Sequence, residues 1–365
     1  MKVHVVDPSA YTPPYDHALC AALARTGADV ELITSRFAYA EPPAPDGYAR
    51  RELFYRRARG APASRRRRAT KLAEHVPDML RYGALASTAD VVHFQWLALP
   101  QLDWALLPRG RPLVLTAHDV LARRPTPGQR AAQRRLYRRF DAVIAHSEHG
   151  RARLVGELGL ADARVHAIPH GAFAHLAQTP PAELPAPLAR VGEAPVVLCF
   201  GLIRPDKGVD VLLEAWRGIA DAQLWIVGRP RLELAALRAG APSNVSWLPR
   251  FVSDGELAAC FRAADLVVLP YRESEQSGVL ATALAFGSPL LLTDVGGFGE
   301  VAAAGAARLV APEDPAALRE ALQELLGEPR ARAMLSTAAR ELAAGEWSWQ
   351  RVAERTSALY DSLLS

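Results

Sequence analysis

Residues 196–215 read VVLCFGLIRPDKGVDVLLEA. The unbroken apolar run Val196-Val197-Leu198-Cys199-Phe200 has the pattern of a strand buried on both faces of a parallel sheet. After Gly201 the chain turns through Arg204, Pro205, Asp206 and Lys207 into an amphipathic helix from Gly208. A strand, a glycine turn, cations and a helix start, in that order, make an anion site. Gly201 and Gly208 let backbone pass close to a bulky ligand, the helix start offers unpaired N–H groups at the positive end of its dipole, and Arg204 and Lys207 add full charges. A diphosphate suits that arrangement. Read in isolation, the same residues also fit an ordinary βα turn with two solvated cations.

A second stretch strengthens the first. Leu266-Val267-Val268-Leu269-Pro270 is another buried strand, followed by Tyr271 to Glu275, Gln276-Ser277-Gly278-Val279 and a helical run to Gly287. Two such strand ends are expected side by side at the carboxyl edge of one sheet, where open α/β sheets bind ligands.

FGLIRPDKG (200–208) resembles the F-G-x-x-x-x-x-K-G signature of the retaining glycosyltransferases of family 4. RAADLVVLPYRESEQSGVLATALAFGSPLLLTDVGG (262–297) is similar to their strand, acidic loop, helix and D-V-G-G segment. DVVHFQW (90–96), TAHD (116–119) and IPHG (168–171) are looser echoes in the amino half. The resemblance implies the GT-B fold: an α/β chain of two Rossmann-like, doubly wound parallel-sheet domains facing across a cleft. It also implies a nucleotide-sugar-dependent hexosyltransferase that passes a sugar to an acceptor hydroxyl with retention, by a metal-independent front-face route. No cofactor is then expected, since the nucleoside-diphosphate sugar is a substrate. A nucleotide-sugar phosphatase-like or epimerase-like enzyme of the same fold is the alternative.

The resemblance distributes roles along the chain. Gly201, Arg204, Lys207, Gly228, Ser277, Gly278 and Val279 fall to the diphosphate and nucleotide, and Phe251 with Val252 to the base. His118 is placed at the donor sugar. The family carries a glutamate, seven residues and a second glutamate, but ungapped counting puts Ser274 and Thr282 at those positions. Glu273 and Glu275 flank the first and are the candidates for the sugar. At the second, Thr282 can offer the ribose one hydrogen bond. Acceptor contacts are expected from Tyr15, Asp16, His93 and His170, in a first loop built of prolines and tyrosines where the family often has glycines. A zinc site from His93, His118 and His170 has neither helical pairing nor CxxC spacing behind it, so no metal is expected.

The chain has 365 residues, half of them hydrophobic, with a net charge of +4, and a length that favours two domains. No apolar run approaches the ~20 residues that span a bilayer, and MKVHVVDPSA reads as a strand rather than a signal peptide. Cys20, Cys199 and Cys260 sit apart in apolar patterns and read as reduced, buried residues. A cytoplasmic protein is expected, either free or peripheral at the inner membrane face. Positive charge is concentrated in Arg50, Arg51, Arg56, Arg57, Arg59 and Arg65 to Arg68, and again in Arg123, Arg124, Arg130, Arg134, Arg135, Arg138 and Arg139. Such blocks attract phosphates, an anionic membrane surface or nucleic acid, or are merely solvated helix faces. Nucleic acid lacks any supporting motif. A small-molecule, glycan or lipid-linked acceptor remains. A dehydrogenase would need a glycine fingerprint after its first strand, and Asp7-Pro8-Ser9-Ala10 has none.

Taken in order, the segments predict residues 1–171 as an amino-terminal acceptor-side domain and 172–194, with Pro180, Pro181, Pro185 and Pro187, as a linker. Residues 195–346 are read as the nucleotide-sugar-binding domain, and 347–365 as a helix returning to the first domain, anchored by Trp347 and Trp349. Asp16 is expected to cap the helix that ends at Arg25, Thr70 to open a helix to Leu85, and the span Phe37 to Ala69 to form loops with short pieces of strand.

Overall fold

Runs of Val, Ile and Leu too apolar to face water on either side form two separate parallel sheets. The computed structural model describes residues 1–37, 42–60, 64–120 and 128–365. These form one unit of Met1–Gly171 with Trp349–Ser365 and another of Ala172–Ser348.

In the first unit the strands are β1 (Lys2–Asp7), β2 (Asp29–Ser35), β3 (Ala49–Phe54), β4 (Val91–Phe94), β5 (Leu113–Thr116), β6 (Ala142–Ala145) and β7 (Val165–Ala167), in the order β3-β2-β1-β4-β5-β6-β7. In the second they are β8 (Val196–Phe200), β9 (Gln223–Val227), β10 (Val245–Leu248), β11 (Leu266–Leu269), β12 (Leu290–Thr293) and β13 (Ala307–Val310), in the order β10-β9-β8-β11-β12-β13. Every pairing is parallel. Each unit is therefore a doubly wound α/β domain, and each sheet reverses its winding at one place: between β1 and β4, and between β8 and β11. Those two switch points are where such sheets open a crevice at their carboxyl edge.

Helices cover both faces of each sheet. In the first unit Tyr82, Phe94 and Phe140 fill one layer, while Leu19, Leu23, Ile144 and Tyr360 fill the other. The last helix, Trp349–Leu364, supplies Val352, Ala353 and Tyr360 to that second layer and lies on the helix Pro13–Arg25. Trp349 packs on the Tyr15 ring at 5.0 Å, whereas Trp347 packs in the core of the second unit. The proline-rich span is not bare tether: it contains the helix Ala174–Gln178, and Leu188 is wholly buried among second-unit residues.

Local chemistry moves several boundaries. Asp16 does not cap its helix, because Pro13 and Pro14 start it three residues earlier, where a missing N–H costs nothing. The next helix runs Arg65–Leu85, since the Ser64 hydroxyl accepts the Arg67 N–H at 3.3 Å and the arginines that follow face water. Among the loops expected before it, residues 49–54 form the full edge strand β3, with a register shift opposite Thr34 and Ser35. Arg123, Arg124 and Pro62 lie outside the described residues. No described helix is long and apolar enough to cross a membrane, and the three cysteines are buried and free.

Candidate active site

At the β8/β11 switch point the chain leaves β8 at Gly201 and climbs through the single 3-10 turn Pro205–Lys207 into the helix Val209–Trp216. Beside it, β11 leads through Tyr271 to Glu275 into the helix Gly278–Ala285, whose N-cap Ser277 accepts the Leu280 N–H. Two glycines make the close approach of these loops steric necessity. A Cβ on Gly208 (φ +64°) would stand 1.9 Å from the Pro270 carbonyl oxygen, and one on Gly228 (φ +143°) 1.8 Å from that of Gly201. No side chain fits at either position.

Arg272 staples the loops together. Its backbone N–H donates to the Asp206 carbonyl at 2.9 Å, its Nη1 to the Pro205 carbonyl at 2.6 Å, and its fork spans both oxygens of Asp210 at 2.8 and 2.7 Å. The pairing holds the Asp210 carboxyl below its ordinary range and raises the guanidinium still further. Lys207 Nζ then sits 3.4 Å from the centroid of the buried Tyr271 ring, a cation–π seat that fixes the ammonium over the β11 end. Arg204 donates to Asp206 at 2.8 Å, but its Nε is buried with no hydrogen-bond partner among the described residues, and the same holds for Gln276 Oε1. Buried polar atoms left in this state mark places where a ligand completes the bonding.

The acidic loop is divided by exposure. Glu273 is exposed, Glu275 is half-buried, and Ser274 between them is buried, its hydroxyl donating to the Gln276 carbonyl at 3.0 Å. Thr282 is buried too and donates to the Gly278 carbonyl at 2.8 Å, so its proton is spent within the helix and only acceptor capacity is left. Val279 touches the Gly201 turn, where an added Cβ would meet its Cγ2 at 3.0 Å. Val252 is buried, while Phe251 beside it is 79% exposed, an aromatic face standing in solvent.

At the β1/β4 switch point the first unit assembles a row of imidazoles. His118, after β5, lies flat on the Trp96 indole (centroids 4.8 Å, interplanar angle 8°) and meets the Tyr15 ring edge-on at 4.7 Å. His118 Nδ1 is 3.2 Å from His146 Nε2, and His146 Nδ1 is 3.1 Å from the Ile168 carbonyl. On the other side His118 Nε2 is 3.1 Å from Gln95 Oε1, and Gln95 Nε2 is 3.2 Å from His93 Nε2. Burial holds all of these rings below the ordinary histidine range, His118 strongly, His146 down to about 4 and His93 to about 3.

Those contacts fix the protons. A carbonyl only accepts, so His146 donates from Nδ1, its Nε2 accepts, and His118 must donate from its own Nδ1. A neutral His118 then accepts at Nε2 and requires the NH2 end of Gln95. That orientation is reached by a half-turn of the Gln95 amide, whose oxygen and nitrogen ends trade places about the 3.1 Å contact. Gln95 is thus the group on which the charge state of His118 turns.

Of the expected acceptor residues, His93 has both nitrogens occupied, by Tyr360 Oη at 2.6 Å and Thr116 Oγ1 at 2.7 Å, and holds the row rather than a substrate. Asp16 is buried against Asp7, and burial beside that second carboxyl raises it far above its usual value. Asp7 in turn receives the N–H groups of Ser9, Tyr11 and Thr12 and shapes the first loop. Tyr15 is buried at the centre of His118, His146, His170 and Trp349. His170 is buried with Nδ1 2.8 Å from the Gly171 carbonyl. These side chains wall and position. Beside His118 a cavity of about 230 Å³ opens, lined by Trp96, Asp119, Gln133 and Tyr137 among others. Sequence reading passed over His146, Gln95 and Arg272. His146 alone carried a usable signal, being a histidine just beyond the carboxyl end of a buried strand, level with His118 in the sheet register.

Family models match both halves of the chain, Glycosyltransferase Family 4 over residues 15–172 and Glycosyl transferases group 1 over 194–328. A D-inositol 3-phosphate glycosyltransferase of Nocardia farcinica is 30% identical over 379 residues, covering 94% of this chain and 82% of that protein. Among solved structures, sucrose-phosphate synthase of Thermosynechococcus elongatus aligns with a TM-score of 0.76 at 21% identity, covering 100% of this chain and 99% of that one. Anabaena HepE in complex with UDP-glucose aligns at 0.73 and 19%, covering 99% and 100%.

Proposed function

Because the chain belongs to the family 4 glycosyltransferases of GT-B fold, we propose that it transfers a sugar from a nucleoside diphosphate to an acceptor hydroxyl with retention of configuration. The observation that carries this reading is the β8/β11 edge: two cations and a helix N-terminus on loops clamped together by Arg272, with Arg204 Nε buried and unsatisfied. Departure of the diphosphate builds negative charge on its β-phosphate. Arg204, Lys207 and the N–H groups of Gly278 and Val279 are the donors whose bonds strengthen as that charge grows. They take the place a divalent cation fills in other transferases, so turnover should survive a chelator. Glu275, half-buried on the same loop, is the better placed of the two carboxylates to orient donor hydroxyls, and exposed Phe251 offers its face to the base.

In a front-face reaction the bond from the anomeric carbon to the phosphate oxygen breaks while the acceptor oxygen bonds on the same side, and the departing phosphate takes the acceptor's proton. No separate base is needed. His118 serves the sugar, and its burial keeps it neutral, as a group beside a developing oxocarbenium cation must be. The name of the Nocardia relative and the UDP-glucose bound in HepE make a uridine nucleotide the first donor to test and a phosphorylated polyol or sugar the first acceptor.

A thermal-shift panel of UDP, GDP, ADP and TDP identifies the base, because a ligand bound only by the native state raises its midpoint. Product analysis with and without acceptor then checks the transfer. A donor consumed at the same rate without acceptor, giving free sugar or an epimer, would replace the transferase reading with a hydrolytic or epimerising one.

A further inference from the structure

We propose that the first unit holds a second anion site, a pocket for a phosphate carried by the acceptor, built around Tyr55 and four arginines. A cavity of about 670 Å³ opens beside β3 and the start of the helix Arg65–Leu85, within the size range of small-molecule sites. Its charged lining among the described residues is Arg36, Arg56, Arg59 and Arg67 against the single carboxylate of Glu52. An excess of three positive charges around one cavity attracts an anion. A planar guanidinium matches phosphate oxygens with paired N–H groups.

The pocket is organised rather than merely charged. Arg67 Nη1 donates to the Ala58 carbonyl at 2.8 Å and Arg56 Nε to that of Glu52 at 2.9 Å, which steers both guanidinium groups and leaves further N–H groups on each. Tyr55, on the pocket wall, has φ +52°, a left-handed conformation unusual for an aromatic residue. Its N–H donates to Asp78 at 2.8 Å, and its hydroxyl is 2.7 Å from His75 Nδ1, whose Nε2 is 2.6 Å from the fully buried Asp103. Lys71 Nζ stands 4.8 Å from the same ring. Strain held by so many bonds is the mark of a side chain kept in position for use. The edge-strand register shift opposite Thr34 and Ser35 lies next to this corner, with Phe54 opposite Ser35.

The inference rests on the transferase reading only in naming the anion as part of the acceptor. Phosphate chemistry is shared by a soluble phosphorylated acceptor and by a lipid headgroup, and the test separates them. Inorganic phosphate should raise the thermal midpoint of the full chain saturably, and Arg36→Ser/Arg59→Ser should weaken that response about tenfold or more. Lys207→Ala should leave it unchanged, and the double variant should bind UDP as wild type does. Arg36→Lys/Arg59→Lys, which keeps the charge and removes the paired N–H groups, guards against a folding artefact and should weaken phosphate less than the serine variant at an unchanged midpoint of the free protein. Co-sedimentation with phosphatidylglycerol vesicles, absent with phosphatidylcholine and lost in the arginine variant, supports the pocket with a lipid-borne phosphate. Phosphate binding without vesicle binding supports it with a soluble one. The proposal is overturned if phosphate gives no shift, or if its shift disappears in Lys207→Ala and persists in Arg36→Ser/Arg59→Ser. Failure of UDP to bind, with the phosphate result intact, would instead remove the transferase reading and leave the pocket standing.

Discussion

At the scale of single residues the site depends on where charge is allowed to stand. Lys207 is seated on Tyr271 before any ligand arrives, so its contribution requires little reorganisation when the diphosphate leaves. Lys207→Ala should cost about 2.7–4 kcal/mol of transition-state stabilisation, roughly 10²–10³ in kcat, with an unchanged circular-dichroism spectrum. Near-normal turnover would sink the proposed role. His118 poses the opposite requirement, since it must stay uncharged. Gln95→Glu puts a carboxylate oxygen where Gln95 Oε1 stands, 3.1 Å from His118 Nε2, and should raise its pKa. The acid limb of the pH–rate profile should then move upward toward neutrality, and kcat at pH 7 should fall. An unmoved acid limb would mean that Gln95 does not set the charge of His118.

At the scale of elements, the donor edge is two loops held as one. Removing Arg272 leaves Asp210 and the carbonyls of Pro205 and Asp206 without their donor. Arg272→Ala should therefore loosen nucleotide binding more than it lowers the global midpoint, a difference that calorimetric titration with UDP set against urea unfolding can measure. Gly228→Ala should do more harm, because the added Cβ falls 1.8 Å from a carbonyl oxygen at φ +143°, and a loss of soluble native protein or of several degrees in midpoint is expected. Both sheets were legible in the sequence because buried parallel strands are short continuous apolar runs, and β8 and β11 sit where VVLCF and LVVL announce them. The glycine turn could be read as well. Edge strand β3, ARRELF, was legible only as an unplaced piece of strand, since three of its six residues are charged and only its neighbour β2 makes it a strand. Arg272 was hidden because the groups it staples, Pro205, Asp206 and Asp210, lie more than sixty residues away in the chain.

At the scale of the whole molecule, protons are distributed unequally. Of ten histidines in the chain, only His175 falls in the second unit. In the first unit burial pushes His93 and His170 down to about 3 and His146 to about 4, with His118 also strongly lowered. Unfolding exposes rings that titrate near 6.5, so below that pH the unfolded chain binds protons the native unit refuses, and stability falls as pH falls. Each ring adds a slope of about 1.4 kcal/mol per pH unit between its two values. The Asp7–Asp16 pair works the other way. Burial raises both carboxyls, so the native pair keeps a proton that the unfolded chain has already released in this window, which favours the native unit on acidification. The four rings of the row against about one proton leave a net limiting slope of about 4 kcal/mol per pH unit, and His4 and His166, also lowered by burial, act in the same direction. The second unit carries the same liability at one ring alone, His175, which burial also lowers. Arg272 holds Asp210 low, and Arg250 holds Glu256 down to about 2, so their contributions persist until the pH falls below the usual carboxylate values. Calorimetry taken from pH 7 to pH 5 should accordingly resolve one transition that moves steeply downward and one that barely moves. His146→Gln, in which the side-chain amide cannot titrate, should reduce the steepness of the first and leave the second untouched. Two transitions shifting in parallel would mean that the imidazole row stays neutral in the unfolded chain or charged in the native one, and the argument for an uncharged His118 would fall with it.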